Sequence, residues 1–477
     1  MPHTRSSLLW GVAAAGLYGL SAAPGVVWAD SAKLTLYALH AYLPSLNPGD
    51  HAGWVLLAQG WLGLTWFWSP TYSLHLLSAV AGAVVVAGVH RLLLRWGDPL
   101  ESAHGAAAVL LVAHPLWWAA AVAESYTPAL ALVVVGALLL SRGTTPAVGM
   151  SGVCAGLAVA AHAFAAVLVL PLAPTGRPRT WLPFAAGLVV GSAPMWLAWI
   201  ANPPDPLTGF SAGGGGSWSW VVRAFLSPDR WVRGVALVAG AMGFALGPIA
   251  IIAIVRRIRR GGFSRHPNPI LAAVSLSALA ALLTVYSPYR LHLMVSFVVV
   301  GAVLLAPPAA SLRWCIAHGV LQVALYGAAA GGAHLVGRES LGVRQLPGRD
   351  NATYFLLPPK SWEHSAEAYA RRLLAAVPEN AVVLADFNPG AVLRLVQELE
   401  GVRPDVTIIP TAVDDALATP DPSGVLAGRI GEARAGGRPV VLADSWPPYY
   451  RVEELRRLGY SFAPCGPGLL VERAPDR

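Results

Sequence analysis

Long apolar segments recur along the first two-thirds of the chain, and they restrict its fold more than any other feature. Several are long enough to cross a hydrocarbon layer of roughly 30 Å. Of the 477 residues 55% are hydrophobic and only 12% are charged, and the mean hydropathy is +0.56. A water-soluble core cannot hide so much apolar surface, whereas a bilayer accepts it. The sequence therefore predicts a polytopic α-helical membrane protein.

Basic residues in the short loops set the predicted orientation. The stretches "HRLLLR", "GRPRT" and "RRIRRGGFSR" lie between apolar segments, as expected for cytoplasmic loops under the positive-inside rule. The net charge of +8 arises from 33 Lys+Arg against 25 Asp+Glu. Topology accounts for this excess, so no nucleic-acid partner is predicted. We expect a multi-pass protein of the cell (inner) membrane.

About eleven spans follow from this path, with external loops at 29–70 and 202–233. The segment 147–173 is read as two short helices hinged near His162, because one long helix would put basic loops on the external side. The stretch "WVLLAQGWLGLTWFW" in the first external loop predicts an interfacial helix. The predicted spans are about 8–28, 72–94, 102–122, 127–141, two within 147–173, 181–200, 234–255, 270–287, 291–306 and 312–335.

Residues 339–477 differ from the transmembrane part, 1–338, in composition. Apolar runs "AVVLADF", "VTIIP", "PVVLADS" and "GLLVER" alternate with amphipathic segments, which predicts a parallel α/β sheet covered on both faces, in a soluble extracytoplasmic domain. "VVLAD" ends at Asp386 and again at Asp444. Acids at the ends of parallel strands mark a ligand crevice in some proteins and cap helices in others, and capping is favoured here.

The chemistry-bearing residues collect on the predicted external face. Asp30, in "APGVVWADSAKL", follows the first apolar segment and is the candidate catalytic group. An ionisable group near a membrane is costly unless it is paired or lines an aqueous cavity. The other candidates, all for substrate binding, are Lys33, Asp50, His51, Glu124, Tyr126, His162, Arg223 and Arg290. Four of these candidates also have a purely structural interpretation: Asp30 as a solvated helix end, Glu124 and Arg290 as snorkelling residues at the membrane interface, and His162 as a packing residue.

Four stretches together resemble the GT-C superfamily of membrane glycosyltransferases, and most closely its bacterial protein O-mannosyltransferase-like family. They are "APGVVWADSAKL", "HPLWWAAAVAESYTPAL", "GLAVAAHAFAAVLVLPL" and "VPENAVVLADFNPGAVLRLVQELEGVRPDVTII". The resemblance implies a polyprenyl-phosphate-linked sugar as donor and a protein or glycan acceptor. It puts Asp30 at the catalytic position, and Glu124, Tyr126 and His162 at matching positions.

The chain departs from this family at Lys33, where relatives carry a second acid, and at "LNPGDHAGW", where they carry a His-Pro-Pro-Gly-type stretch. The missing acid argues against a metal site. No metal ligands are assigned, and a role for a divalent cation is left open. Asp50 and His51 are the residues that could compensate.

The mechanism expected from these residues is transfer of a mannose-like sugar by single displacement with inversion, by analogy with inverting glycosidases. Asp30 would act as the base for the acceptor hydroxyl. Arg290 is the first choice for the leaving phosphate, since a guanidinium matches phosphate bidentately, with Lys33 and Arg223 in reserve. Two alternatives remain: a transporter or flippase for a lipid-linked sugar, and a receptor whose α/β domain binds a ligand through Asp386 and Asp444.

Overall fold

Thirteen helices described by the structure form the helical bundle and its connections. The computed structural model describes residues 2–44, 51–174, 178–201, 228–264, 270, 272–278, 288–411 and 421–474. The helices are α1 (Pro2–Ser21), α2 (Asp30–Leu39), α3 (Ala52–Leu64), α4 (Pro70–Trp96), α5 (Leu100–Val112), α6 (His114–Ala120), α7 (Tyr126–Leu140), α8 (Thr145–Ala161), α9 (Ala165–Leu172), α10 (Pro178–Ala201), α11 (Pro228–Arg259), α12 (Pro288–Leu305) and α13 (Leu312–Leu335).

A small α/β unit follows the bundle. Its five-stranded sheet has the order β2-β1-β3-β5-β4. Its elements are α14 (Asn351–Leu356), α15 (Ser365–Ala376), β1 (Val382–Ala385), α16 (Phe387–Glu400), β2 (Thr407–Pro410), α17 (Pro422–Ala435), β3 (Val440–Leu442), α18 (Pro447–Tyr450), α19 (Val452–Arg457), β4 (Ser461–Cys465) and β5 (Gly468–Arg473).

The predicted spans match the helices in most places. Among the described residues, four helices are long and apolar enough to cross a membrane: α4, the segment 180–201 of α10, the segment 234–259 of α11, and α13. The bent pair α5 and α6 makes a fifth if it counts as one span. The count of about eleven stays a prediction, and most of the predicted span 270–287 lies outside the described residues.

The predicted helix 8–28 is wrong at its end. Helix α1 stops at Ser21, and residues 22–29 are irregular before α2 begins at Asp30. The stretch "AAPGVV" contains Pro24 and Gly25, which disfavour a continuing helix. Its apolar residues are nevertheless buried, because Val26, Val27 and Trp28 pack in the core of the α/β unit. Apolarity alone could not separate this buried coil from a helix.

The predicted hinge near His162 is confirmed. Helix α8 ends at Ala161, His162 is extended (φ −157°, ψ 118°), and α9 begins at Ala165. Two further breaks occur in the bundle, between α5 and α6, which meet at 59°, and at Gly247 inside α11, where φ is +67°. Breaks of this kind free backbone carbonyls, which need partners away from water.

Two polar side chains of α13 supply partners at these breaks. Gln322 Nε2 donates to Phe244 O over 2.6 Å, next to the break in α11. Tyr326 Oη donates to Val112 O over 2.7 Å, at the break between α5 and α6. Each carbonyl lies near a break, so α13 compensates two broken helices at once.

The predicted all-parallel sheet is wrong in part. All four predicted strands are present, and β1 pairs in parallel with β2 and β3. However, β5 runs antiparallel to β3 and to β4, a strand that the pattern did not predict. A two-residue turn at Gly466 and Pro467 joins β4 to β5, with φ +56° at Gly466. Because a turn this short makes a hairpin, it requires antiparallel pairing.

Helices α8 and α10 approach each other at backbone distance. A Cβ atom added at Gly187 would collide with Gly149 O, and one added at Gly191 would collide with Val153 O. Small residues spaced in this way let helix backbones pack closely within a membrane, where no hydrophobic effect drives association. This contact fixes the half of the bundle that ends at the His162 hinge.

We therefore predict that Gly191→Leu separates α8 from α10 and lowers the stability by about 1–3 kcal/mol or more, the usual cost of overpacking. The matched control is Gly16→Leu, because a Cβ at Gly16 of α1 meets nothing within 4 Å. Thermal unfolding of both variants in detergent measures the difference. Equal melting temperatures for the two variants would contradict the close α8–α10 contact.

Candidate functional site

The irregular segment 22–29 (the "joint" below) places Asp30 between the bundle and the α/β unit. Val26 N donates to Glu367 Oε1 and Trp28 Nε1 donates to Ser365 Oγ, each over 2.8 Å. The Trp28 ring is buried against Tyr369, with ring centroids 5.1 Å apart. The second half of the joint is therefore held by the α/β unit, and Asp30 follows directly.

The backbone is strained immediately before Asp30. Ala29 has φ +61° and ψ −130°, a conformation that a residue with a Cβ rarely adopts. Such strain costs of order 1–3 kcal/mol and persists only where the surroundings impose it. Here the anchored Trp28 and the first turn of α2 impose it. The strain orients Asp30 as the first residue of α2, where the helix dipole favours a carboxylate.

Lys33 pairs with Asp30 across the first turn of α2. Its Nζ lies 3.0 Å from Asp30 Oδ1, and the lysine side chain is only 14% exposed, against 40% for the aspartate. The same ammonium lies over the rings of Phe387 (5.1 Å) and Tyr37 (5.8 Å). Lys33 is thus in direct contact with Asp30, and Phe387 of α16 borders the pair.

A stacked pair of histidines lies next to this ion pair. His51 and His162 have ring centroids 5.2 Å apart, and the Tyr126 ring lies 4.4 Å from His162. His51 Nδ1 donates over 2.9 Å to the backbone oxygen of Ala161, which is the last residue of α8. Phe164 N donates to His162 Nδ1, which is therefore an acceptor. The hinge between α8 and α9 is what presents His162 here.

Two charged residues of α2, Lys33 and Asp30, influence the pKa of His51, which lies in the loop before α3. Burial lowers the pKa of His51 to about 4, Lys33 acts in the same direction, and Asp30 opposes the shift. His51 is therefore neutral at pH 7. A neutral imidazole acts as a hydrogen-bonding group and adds no cation to the site.

Glu124 lies in the turn between α6 and α7, two residues before Tyr126, and is only 5% exposed. Its backbone carbonyl accepts from Trp54 Nε1 over 3.2 Å, which ties the turn to α3. Burial raises the pKa of the Tyr354 phenol, Arg349 opposes this, and the charges of Glu363, Glu124 and Asp30 add to it. Glu124 and Asp30 therefore act on the same part of the α/β unit.

Of the nine candidates, six have described side chains in this region, namely Asp30, Lys33, His51, Glu124, Tyr126 and His162. Asp50 and Arg223 lie outside the described residues. Residue 290 belongs to α12, but its side chain also falls outside the described part. The backbone puts residue 290 two turns before Phe297 on the same helical face. Phe297 contacts His162, with ring centroids 5.7 Å apart.

Asp386 and Asp444 are held by a buried arginine. Arg344 donates to both oxygens of Asp386, over 2.7 and 2.8 Å, and it also donates to Asp444. Tyr450 Oη adds a bond to Asp386, whose carboxylate also caps α16 by accepting from Asn388 N. Capping is thus the role of Asp386. These acids are occupied from within the protein, which removes the basis for a ligand crevice between them.

Sequence reasoning missed two residues of the α/β unit that border the site. Phe387 is one, and its contact with Lys33 joins residues 354 positions apart. The other is Lys360, which is fully buried, donates from its backbone N–H to Ser21 O over 2.7 Å, and places Nζ 5.2 Å from the Trp118 ring. Burial lowers the pKa of Lys360 well below its usual range, with Glu363 opposing. Lys360 belongs to no motif identified in the sequence, and the stretch that contains Phe387 carries no sign that this ring contacts Lys33.

Among the described residues, no group of three or more His, Cys, Asp or Glu side chains could hold a metal ion. His51 and His162 both already bond to the backbone through Nδ1.

Fold and site together define a multi-pass membrane protein that holds an acid, a lysine and two histidines between its helical bundle and a C-terminal α/β unit. Solved structures of ArnT from Cupriavidus metallidurans share this fold over the whole chain. The apo structure is similar with a TM-score of 0.57 and 13% identity, covering 99% of this chain and 98% of that one. The structure bound to undecaprenyl phosphate is similar with a TM-score of 0.57 and 12% identity, and the match covers 99% of this chain and 100% of that one.

This likeness confirms the predicted polytopic membrane fold with a C-terminal α/β unit and does not single out the O-mannosyltransferase-like family. No protein-family model and no curated protein matches the sequence. At such low identity the comparison establishes the fold alone.

The buried arginine generates a prediction for stability. Arg344→Met leaves Asp386 and Asp444 buried without their cation, and we expect the α/β unit to lose about 3–5 kcal/mol, the cost of breaking a buried ion pair. The control is Arg371→Met, because Arg371 is 56% exposed and pairs with Glu400 at the surface. There we expect at most about 1 kcal/mol.

Hydrogen exchange of β1 and β3 in the full-length variants measures this difference. Unchanged protection in Arg344→Met would show that the ion pairs of Arg344 with Asp386 and Asp444 do not stabilise the sheet.

Proposed function

We propose that the protein is a glycosyltransferase that moves a sugar from a polyprenyl-phosphate donor to a hydroxyl acceptor on the external face of the cell (inner) membrane. The observation that carries the proposal is the paired Asp30 and Lys33 beside His51 and His162, at the junction of bundle and α/β unit. An ArnT with the same fold has been solved with undecaprenyl phosphate bound. That ligand is the lipid part of the donor that we propose.

Asp30 is the proposed base. It takes the proton from the acceptor hydroxyl as the oxygen forms its bond to the anomeric carbon. The bond from that carbon to the phosphate oxygen breaks, and the electron pair leaves with the polyprenyl phosphate. A single displacement of this kind inverts the anomeric configuration, as it does in inverting glycosidases. Fixing Asp30 through the joint lowers the entropic cost of aligning base and acceptor.

Positive charge is needed where the phosphate leaves. Lys33 lies against Asp30 and is mostly shielded from water, so its charge is less screened than a fully solvated one. Arg290 is the proposed main phosphate ligand, because a guanidinium matches phosphate with two parallel hydrogen bonds. Helix α12 carries residue 290 on the face that approaches His162 through Phe297.

The remaining assignments rest on the resemblance to the O-mannosyltransferase-like family. They are the mannose-like sugar, the protein or glycan acceptor, and substrate contacts for Glu124, Tyr126 and His162. Substrate contacts for Asp50 and Arg223 are proposed instead because the predicted topology puts both residues on the external face. We place the active site and residues 339–477 on the extracytoplasmic side because of the basic loops. In support, Arg95 at the end of α4 donates to Leu138 O near the end of α7, so two of the basic helix ends meet on one side.

The proposed base generates the first functional prediction. Asp30→Asn keeps the shape of the side chain and removes the base, so we expect transfer to fall by about 10²–10⁴-fold. The assay supplies membranes with polyprenyl-phosphate-linked sugar and follows the labelled sugar into acceptors. Glu432→Gln is the control, since the Glu432 side chain is 72% exposed and has no role in the proposed reaction. Undiminished transfer by Asp30→Asn would remove Asp30 from catalysis.

The proposed phosphate ligand, Arg290, generates the second functional prediction. In Arg290→Ala the donor loses a charge-assisted hydrogen-bonding partner worth about 1.5–3 kcal/mol, so we expect the donor KM to rise about 10–100-fold while acceptor KM stays constant. Arg338→Ala, at an exposed position beyond α13, is the matched control. An unchanged donor KM for Arg290→Ala would exclude this residue from the donor site.

A further inference from the structure

A cavity of about 630 Å³ lies beside the proposed active site, between α2, α16 and β2 (the "α2–α16 groove" below). That volume falls within the range of small-molecule sites, about 300–1,000 Å³. Its walls contain apolar residues of β2 and its approach (Val402, Pro404, Val406, Ile408) and Leu36 of α2, and five polar ones: His40, Arg394, Gln397, Glu398 and Thr407. Nothing in the proposed mechanism uses this cavity.

The groove begins about one helical turn beyond the proposed catalytic pair, where Leu36 of α2 lines it. Lys33, Leu36 and His40 lie on one face of α2, at helical spacing. At the near end of this face Lys33 contacts Phe387, the first residue of α16, and at the far end His40 Nε2 lies 2.9 Å from Glu398 Oε2. The rise from residue 33 to residue 40 is about 10 Å along α2. A ligand that fills the groove and extends past Leu36 along this face therefore leads towards Asp30.

The charges in the groove favour an uncharged ligand. Glu398 offsets Arg394, and the other polar groups are an amide, a hydroxyl and an imidazole. An acceptor with phosphates or carboxylates would need an excess of cations. Groups that both donate and accept, set on an apolar wall, match the hydroxyls and the C–H faces of a neutral sugar chain.

The edge of the sheet argues against an extended peptide in this place. Strand β2 is the outer strand, where a peptide could add by backbone pairing. However, Arg394 donates to Ile408 O over 2.8 Å and Gln397 Nε2 donates to Val406 O over 2.9 Å. Pro410 has no N–H to offer. Side chains of α16 thus already occupy carbonyls that a peptide acceptor would need.

We infer that the α2–α16 groove binds a neutral glycan and presents its terminal hydroxyl to Asp30. This inference deepens the proposed function and rests on it for the role of Asp30. It names a glycan, and neither a peptide nor an anionic lipid, as the acceptor class.

Binding without donor tests the groove separately from catalysis. Full-length protein in lipid nanodiscs is titrated with tri- to pentasaccharides of glucan, mannan, galactan and arabinan, with oligogalacturonate as the acidic counterpart and a Ser/Thr-rich peptide. We expect a neutral oligosaccharide to bind the wild type and Asp30→Asn equally. Binding of only the acidic sugar or only the peptide, or no binding at all, would overturn the inference.

Two tryptophan variants on α16 localise the ligand. Glu398→Trp fills the groove, and we expect binding to weaken at least about tenfold, or 1.4 kcal/mol. Leu399→Trp changes the neighbouring residue, which is 38% exposed and does not line the groove, and should bind as the wild type does. Equal affinities of the two variants would overturn the inference. Oligosaccharide binding without sugar transfer would instead contradict the proposed function alone.

Discussion

The rest of the site depends on the joint between α1 and α2, because the α/β unit holds this segment in a conformation it would not adopt alone. A Cβ at Gly25 would displace the Glu367 carboxylate that accepts from Val26 N. Trp28 is buried in the same core, and Ala29 has a positive φ of 61°. Backbone groups buried here would be costly without these partners. Asp30 is therefore positioned by a domain contact and not by the membrane helix that precedes it.

As a consequence, the proposed active site is formed jointly by the helical bundle and the α/β unit. The bundle supplies His162 through a broken helix and Glu124 through a turn, while the α/β unit supplies Phe387 against Lys33. The buried Arg344 fixes Asp386, the residue immediately before Phe387. The acids that resembled a ligand crevice thus have a structural role that still affects the site, since they hold the start of α16 in place beside α2.

Local pattern predicted the elements well where one physical rule dominated. The four strands, α4 and the hinge at His162 followed from apolar runs and from the charge of loops. Local pattern failed where burial had another cause, as at residues 22–28, which are apolar because the α/β unit covers them and not because they span a membrane. The antiparallel β5 was missed for a similar reason, since an apolar strand carries no sign of its direction. For the candidate site, residue types and order indicated Asp30, Tyr126 and His162, whose proximity the structure shows, while Phe387 and Lys360 had no local signal.

The sequence by itself determined that the chain enters the membrane repeatedly and ends in an α/β unit, because hydropathy and strand–helix alternation are properties of short segments. It also supplied an acid with a lysine three residues later. The helical spacing of these two residues already favours their pairing. Only the tertiary structure decided that Phe387 of α16 lies against Lys33, and that α16 and β2 form a groove with the same face of α2. Such contacts join residues hundreds of positions apart, and periodicity holds no information about them because it depends only on neighbours along the chain.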